Sequence, residues 1–325
     1  MKRKKLFYFT ILLLLITSLL AACGDNANSE DATYPDKSIS MIVPFSAGGP
    51  GDVMTREVAS IAEEFFGQTV VVENKPGGSG SVALNHTINQ EADGYTIMNH
   101  SSTLPQTMAS GEIPFTPDDV IPVATMVSNY HVLAVMADSP FQTFEDFVEY
   151  AKENPGELNV VGSNTNGANH VFSLKVMDGA EIDFNYVAYD GGGEALTRLL
   201  GGNADAIGAS GEVVQQQVEA GEVRILAVSS SERVPLHPDI PTFKELGLEN
   251  VDDELIWRGF FVKPGTPEDV IEEIQDVLKS VTESEEFAEY AEKTNQDIYF
   301  VTGEELETIL NDIYNESKDL FERYK

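Results

Sequence analysis

Short runs rich in β-branched and aromatic residues recur at 39–45, 69–72, 95–99, 132–136, 158–161, 184–189, 204–209 and 223–228. Amphipathic stretches of about ten to fifteen residues separate most of them, an alternation that predicts βαβ units and mainly parallel sheets, hence an α/β fold. In the helix predicted over 52–66, Val53, Ala59, Ile61, Ala62, Phe65 and Phe66 recur at helical spacing before Gly67 stops it. Further helices are predicted over 143–154, 194–200, 212–220, 267–281 and 304–324, and around 171–177. Pro155-Gly156 and Gly201-Gly202 punctuate the pattern.

Two segments break the alternation. Residues 123–138 form a long, apolar, β-leaning run with no intervening helix, and 255–262 is a second extended run holding the chain's single tryptophan, Trp257. Two strands crossing between α/β lobes explain both, and such crossings create a cleft of the kind that takes small ligands. The expected layout is a leader over 1–22, a tether over 23–33, one lobe from 34–131 with 256–325, and a second lobe over 132–255. The C-terminal helices are free to pack across both lobes.

The leader changes the cellular picture. Lys2, Arg3, Lys4 and Lys5 precede the apolar stretch 6–20 and then small residues, the order of an export signal. Leu20-Ala21-Ala22-Cys23-Gly24 resembles a lipobox, which implies removal of 1–22 and acylation of Cys23; the alternative is a plain secretory signal with an unused thiol. Two or three acyl chains anchor a protein stably where one does not. Cleavage leaves 303 of the 325 residues, enough for two lobes. Cys23 is the only cysteine, so internal disulfides and thiolate metal clusters are excluded. The leader carries four of the 20 basic residues and none of the 54 acids, which leaves the remainder at a formal charge of −38. That surface excludes nucleic acid as a partner and suits an acidic coat outside the cell.

Candidate chemistry gathers in loops that follow strands. Ser46-Ala47-Gly48-Gly49-Pro50-Gly51-Asp52 opens a helix, so several backbone N–H groups can converge on an anion, with Asp52 expected as the N-cap. A tight strand-to-helix turn with no ligand is the alternative. Met54 stands where a dinucleotide fingerprint needs its third glycine, and the Lys-Ser/Thr of a P-loop is missing. A second donor-rich loop runs from Gly162 through Ser163, Asn164, Thr165, Asn166, Gly167, Ala168 and Asn169 to His170. Asp190 opens a third glycine loop, where capping is the first expectation and ligand contact the second, and Ser210 can place a hydroxyl in the cleft. His86, His100, His131, His170 and His237 show no metal-binding spacing, and Gly77-Gly78-Ser79-Gly80-Ser81 misses G-x-S-x-G at its last position. Neither catalysis nor a metal nor a cofactor is expected.

These residues resemble the substrate-binding proteins of tripartite tricarboxylate transporters, the Bug family. The resemblance runs through Tyr34-Pro35, Ile42-Val43-Pro44-Phe45, Ala47-Gly48-Gly49 with Asp52, Val72-Glu73-Asn74-Lys75-Pro76-Gly77-Gly78, Asp93-Gly94-Tyr95-Thr96, Arg224-Ile225-Leu226-Ala227-Val228, Pro241-Thr242 and Pro264-Gly265-Thr266-Pro267. Residues 182–187 and 190–196 with Trp257-Arg258-Gly259 are similar to the branch that binds tricarboxylates. The resemblance implies a two-lobed fold of the periplasmic-binding-protein type, closing over a citrate-like tri- or dicarboxylate held by main-chain amides. It implies delivery to membrane permease subunits by a lipid-anchored monomer; a ligand-presenting sensor and an α/β enzyme are the alternatives. The ligand-binding set is then Phe45, Ser46, Ala47, Gly48, Gly49, Asp52 and Thr103 on one side, with Asn164, Thr165, Asn166, Asn169, Asp190 and Ser210 on the other. Asn164 and Asn166 stand where the family commonly has glycines.

Overall fold

The computed structural model describes residues 34–252 and 254–324. The leader, Cys23 and the tether lie outside them. No helix among the described residues is long and apolar enough to cross a membrane.

The strands are β1 (Ile39–Val43), β2 (Val70–Asn74), β3 (Thr96–Ser101), β4 (Ile121–Met136), β5 (Asn159–Ser163), β6 (Asn185–Tyr189), β7 (Ala206–Ser210), β8 (Val223–Val228), β9 (Leu255–Val262) and β10 (Asp297–Ile298). The helices are α1 (Pro50–Phe66), α2 (Ser81–Ile88), α3 (Thr103–Ser110), α4 (Phe144–Glu153), α5 (Ala168–Ala180), α6 (Gly192–Leu200), α7 (Gly211–Glu219), α8 (Glu268–Thr282), α9 (Glu285–Lys293) and α10 (Gly303–Arg323).

The first lobe's sheet runs β2-β1-β3-β9-β4-β10 and the second lobe's runs β8-β4-β7-β5-β6. Strand β4 belongs to both. Its residues from Ile121 to Tyr130 pair with β9, while His131–Ala134 pair with β7 and Val132–Met136 with β8. The sixteen residues of this strand, rich in Val and Ala, are almost all buried, as a strand covered on both faces must be.

Two sequence expectations are corrected here. The sheets are mixed, because β1, β2 and β3, and likewise β5, β6 and β7, are parallel, whereas every pairing of β4 and β9 is antiparallel. Parallel neighbours need a helical crossover, and β4 reaches the second sheet without one. The run 255–262 does not cross: β9 pairs from Leu255↔Tyr130 to Val262↔Ile121 wholly within the first sheet. Gly259 in this strand is required by close approach, since a Cβ there would collide with the Ala124 carbonyl oxygen and lie 2.9 Å from Thr125 Cα.

Helix α1 begins with Gly49 as N-cap and Pro50 at its first position, and ends on left-handed Gly67. Helix α4 is closed by a capping box between Thr143 and Asp146. Helices α2, α3 and α9 escaped the periodicity argument. In α3 a proline at the third position reads as a breaker, yet a first-turn N–H has no intrahelical partner to lose.

Helix α10 is rooted in both lobes. Leu306 and Leu310 join the first lobe's core with Leu104, Met108 and Trp257. Leu320 and Phe321 join the second lobe's core with Phe172, Leu174 and Met177. Arg323 Nη1 forks onto both Asp178 oxygens at 2.8 and 3.0 Å, and Lys175 Nζ reaches Glu316 at 3.1 Å and Glu254 at 2.5 Å. Burying each large apolar side chain contributes roughly 1.5–3 kcal/mol, so the core contacts outweigh the largely exposed Arg323–Asp178 pair.

Candidate functional site

The carboxyl ends of β1 and β3 in the first lobe, and of β5 and β7 in the second, lead into α1, α3, α5 and α7 around the junction of the lobes. Crevices at the carboxyl ends of parallel strands are the usual ligand sites of α/β folds. Each of these helices starts on a residue whose side chain makes no capping hydrogen bond: Gly49, Ser102, Gly167 and Ser210. Ser102 and Ser210 are of a capping type, and elsewhere Thr143 and Ser284 do cap their helices. Helix N-termini with open first-turn amides favour a negative charge.

The first loop is held from below by Asp52. This residue is not the N-cap expected from sequence but the third residue of α1. Its buried carboxylate accepts the Gly48 N–H at 2.8 Å, Asn74 Nδ2 at 2.8 Å and Arg56 Nε at 3.1 Å, with Arg56 Nη2 2.9 Å from the second oxygen. Burial pushes the carboxyl pKa up, but the bonds from Arg56, Gly48 and Asn74 more than offset this, leaving it below the ordinary value. Asn74 also ties down the Phe45 carbonyl at 3.1 Å. The loop therefore offers the amides of Ser46, Ala47 and Gly49, which find no acceptor among the described residues, while that of Gly48 is taken. Ser46, Ala47 and Gly48 are exposed, and Phe45 and Gly49 half-buried. Gly48 has φ +85°, a conformation in which glycine is at ease.

The second loop uses asparagine where glycine was the family expectation. Asn164 and Asn166 adopt φ +49° and +59°, the left-handed region that Asn tolerates better than other side chains. Asn164 N–H donates to the Tyr189 carbonyl at 2.9 Å, and Gly167 N–H to the Asn164 carbonyl at 3.3 Å. Asn166 N–H donates to His170 Nδ1 at 3.0 Å, which makes the imidazole neutral with its proton on Nε2. Burial lowers the His170 pKa to about 4. The ring stacks on Tyr186 with centroids 4.6 Å apart, and Tyr186 Oη donates to the Ser163 carbonyl at 2.8 Å. Asn169 Nδ2 donates to Ser163 Oγ at 2.7 Å, while its buried Oδ1 has no partner. Thr165 is exposed at the tip.

Thr103 brings the two sides together: its Oγ1 accepts the Ala168 N–H at 3.4 Å, and its Cγ2 lies 3.2 Å from where a Cβ on Gly167 would stand. Ser210 is buried where β7 meets His131 of β4. Asp190 is exposed, and the cap expected of it is not formed, because Gly191 occupies the N-cap of α6.

Sequence reasoning missed the polar cluster beside the cavity that the first loop lines. Arg258 Nη2 (β9) donates to Glu212 Oε1 (α7) at 2.7 Å and Asn129 Nδ2 (β4) donates to Glu212 Oε2 at 2.5 Å. Arg258 in Trp257-Arg258-Gly259 was the available signal, but nothing in one sequence pairs it with Glu212. A cavity of about 390 Å³ has Gly48, Pro50 and Val53 on one wall and Glu212, Gln215 and Gln216 on another. A second cavity, about 590 Å³ between α4 and the end of α5, includes no residue of either loop.

The model of the tripartite tricarboxylate transporter family receptor matches residues 54–325. The protein BugT of Bordetella pertussis is 34% identical over 246 residues, 73% of this chain and 74% of that one. The crystal structure of a TctC solute-binding protein from Polaromonas, without ligand, superposes with a TM-score of 0.76 at 28% identity, covering 90% of this chain and 100% of that one. The Rhodopseudomonas palustris protein MatC, solved with bound malate, shares the fold at a TM-score of 0.77 and 22% identity, covering 89% and 100% of the two chains. With the two lobes, the paired strand-to-helix loops and these matches in agreement, the chain belongs to the tripartite tricarboxylate transporter receptor family, whose members are extracytoplasmic solute-binding receptors and not enzymes.

Proposed function

We propose that this receptor captures a small carboxylate, a citrate-like tri- or dicarboxylate, between its lobes and hands it as a monomer to membrane permease subunits, tethered through lipid on Cys23. The observation that carries this reading is the set of unfilled N–H groups of Ser46, Ala47 and Gly49 at the start of α1, together with a second strand-to-helix loop at the start of α5 that Thr103 joins to the first lobe. One carboxylate docks on the first loop; its remaining oxygens draw Asn164, Thr165, Asn166, Asn169 and Ser210 of the lobe spanning 132–255 towards the lobe of 34–131 with 256–325. Ligand binding shifts the open–closed equilibrium by its differential affinity for the closed form.

Hydrogen bonds to a charged group contribute roughly 1.5–3 kcal/mol each, so three or four support micromolar binding after ordering costs. The charge of −38 beyond the leader does not oppose this. Distant surface charges are screened over about 8 Å at physiological ionic strength, whereas the loop amides act at contact. Malate bound to MatC supports a carboxylate as the ligand class.

Thermal-shift and calorimetric titration with acetate, malate and citrate tests the reading. Malate or citrate is expected to raise Tm and to be recovered chemically unchanged. Stabilisation by apolar or cationic compounds alone would overturn it.

A further inference from the structure

The Arg258–Glu212 pair joins the lobes beside the cavity that Gly48 lines. Arg258 lies on β9 of the first lobe and Glu212 on the first turn of α7 in the second, and their side chains are only 10% and 11% exposed. Each is satisfied by further groups. Glu212 also accepts from Asn129 Nδ2, and Arg258 Nη1 donates to Gln296 Oε1 at 3.1 Å. Asn129 stands two residues before the point where β4 leaves the first sheet for the second, so the pair sits beside that crossing. Glu212 also lines the cavity that Gly48 of the ligand loop lines.

We propose that Arg258 and Glu212 are positioning residues: an inter-lobe latch that holds the second lobe over the cleft before any ligand arrives, and so sets affinity without touching the ligand. A buried pair of this kind gains only a modest net free energy, because opening returns both charges to water. That is what a reversible latch requires: it biases closure while a missing partner leaves the other charge stranded in the closed form only. The proposal rests on the carboxylate reading for its affinity prediction and is independent of it for its effect on lobe spacing.

The test compares the purified protein with Glu212→Gln, Arg258→Gln and the double variant, by calorimetric titration with malate and citrate and by small-angle scattering with and without citrate. Both single variants are expected to weaken malate and citrate by one shared factor, roughly 5- to 150-fold. They are also expected to raise the radius of gyration of the unliganded protein, and the double variant should be no worse than the worse single. Should Arg258→Gln not fold, Glu212→Gln, nearly identical in shape, decides alone. Unchanged affinity and spacing would overturn the latch. So would a loss confined to citrate, which would place the pair in a ligand subsite. If neither acid binds the unaltered protein the carboxylate reading fails, and the change in unliganded radius still decides the latch.

Discussion

Replacing Asp52 by alanine removes the staple under the first loop, and its cost can be worked from the contacts. The carboxylate holds the Gly48 amide and the Asn74 side chain, both at 2.8 Å, and Arg56. The arginine side chain is half exposed and recovers water, so its share is at most about 1 kcal/mol. The other two bonds run to an ionised acceptor at roughly 1.5–3 kcal/mol each, and the exposed Gly48 amide is partly rehydrated on loss. Asp52→Ala should therefore cost about 3 kcal/mol, or about 5 °C in Tm for a chain of this size. Asp52→Asn keeps one acceptor and turns an NH₂ towards donors on the other side, for about half that loss. The pH dependence has a definite sign. A carboxyl held below its ordinary value stabilises the fold fully above the unfolded value of about 3.9, and the contribution fades as pH falls through the lower folded value. Urea unfolding followed by the buried Trp257 gives the measurement. Loss of malate affinity should accompany the loss of stability, because the Ser46, Ala47 and Gly49 amides are no longer held in place. Both variants unfolding within about 0.5 kcal/mol of the parent, with affinity intact, would refute the reasoning.

Asn166→Gly should leave stability unchanged or slightly higher, and Asn166→Ala should lower it by about 1 kcal/mol, since φ +59° suits glycine and penalises a Cβ; urea midpoints separate the two. Stability should also fall as pH drops from about 6.5 to 4 through His170, because burial holds the folded ring at about 4 while the unfolded ring protonates first. In His170→Gln that part of the slope disappears; an identical pH profile for parent and variant would count against the neutral ring anchoring Asn166.

What the sequence made legible was whatever local chemistry decides. The β-branched runs, the stop at Gly67 and the glycine loop before α1 all depend on a few adjacent residues. Asn164 and Asn166 stand where the family commonly has glycines, and their left-handed backbone accounts for the substitution. Asp52 reads as an N-cap from sequence because a carboxylate at the third helical position bonds backward to Gly48 as readily as an N-cap bonds forward, and only Asn74, 22 residues on, shows which occurs. The antiparallel placement of β4 and β9 and the pairing of Arg258 with Glu212 join positions far apart in the chain, where periodicity is silent.

The sharing of β4 also dictates an order of assembly. The second lobe's strands β5 to β8 follow β4 without interruption, so that sheet can close as soon as Val228 has been made. The first sheet cannot: β3 waits for β9, with Met98 paired to Phe261, and the helix that covers α3 comes last of all. Pairings so distant in sequence carry the largest loop-closure cost and form late. The free edge of β3 thus stays unpaired until β9 arrives, although the loop from Phe45 to Asp52 can form early on contacts that reach no further than Asn74, and that exposed edge is where aggregation would compete.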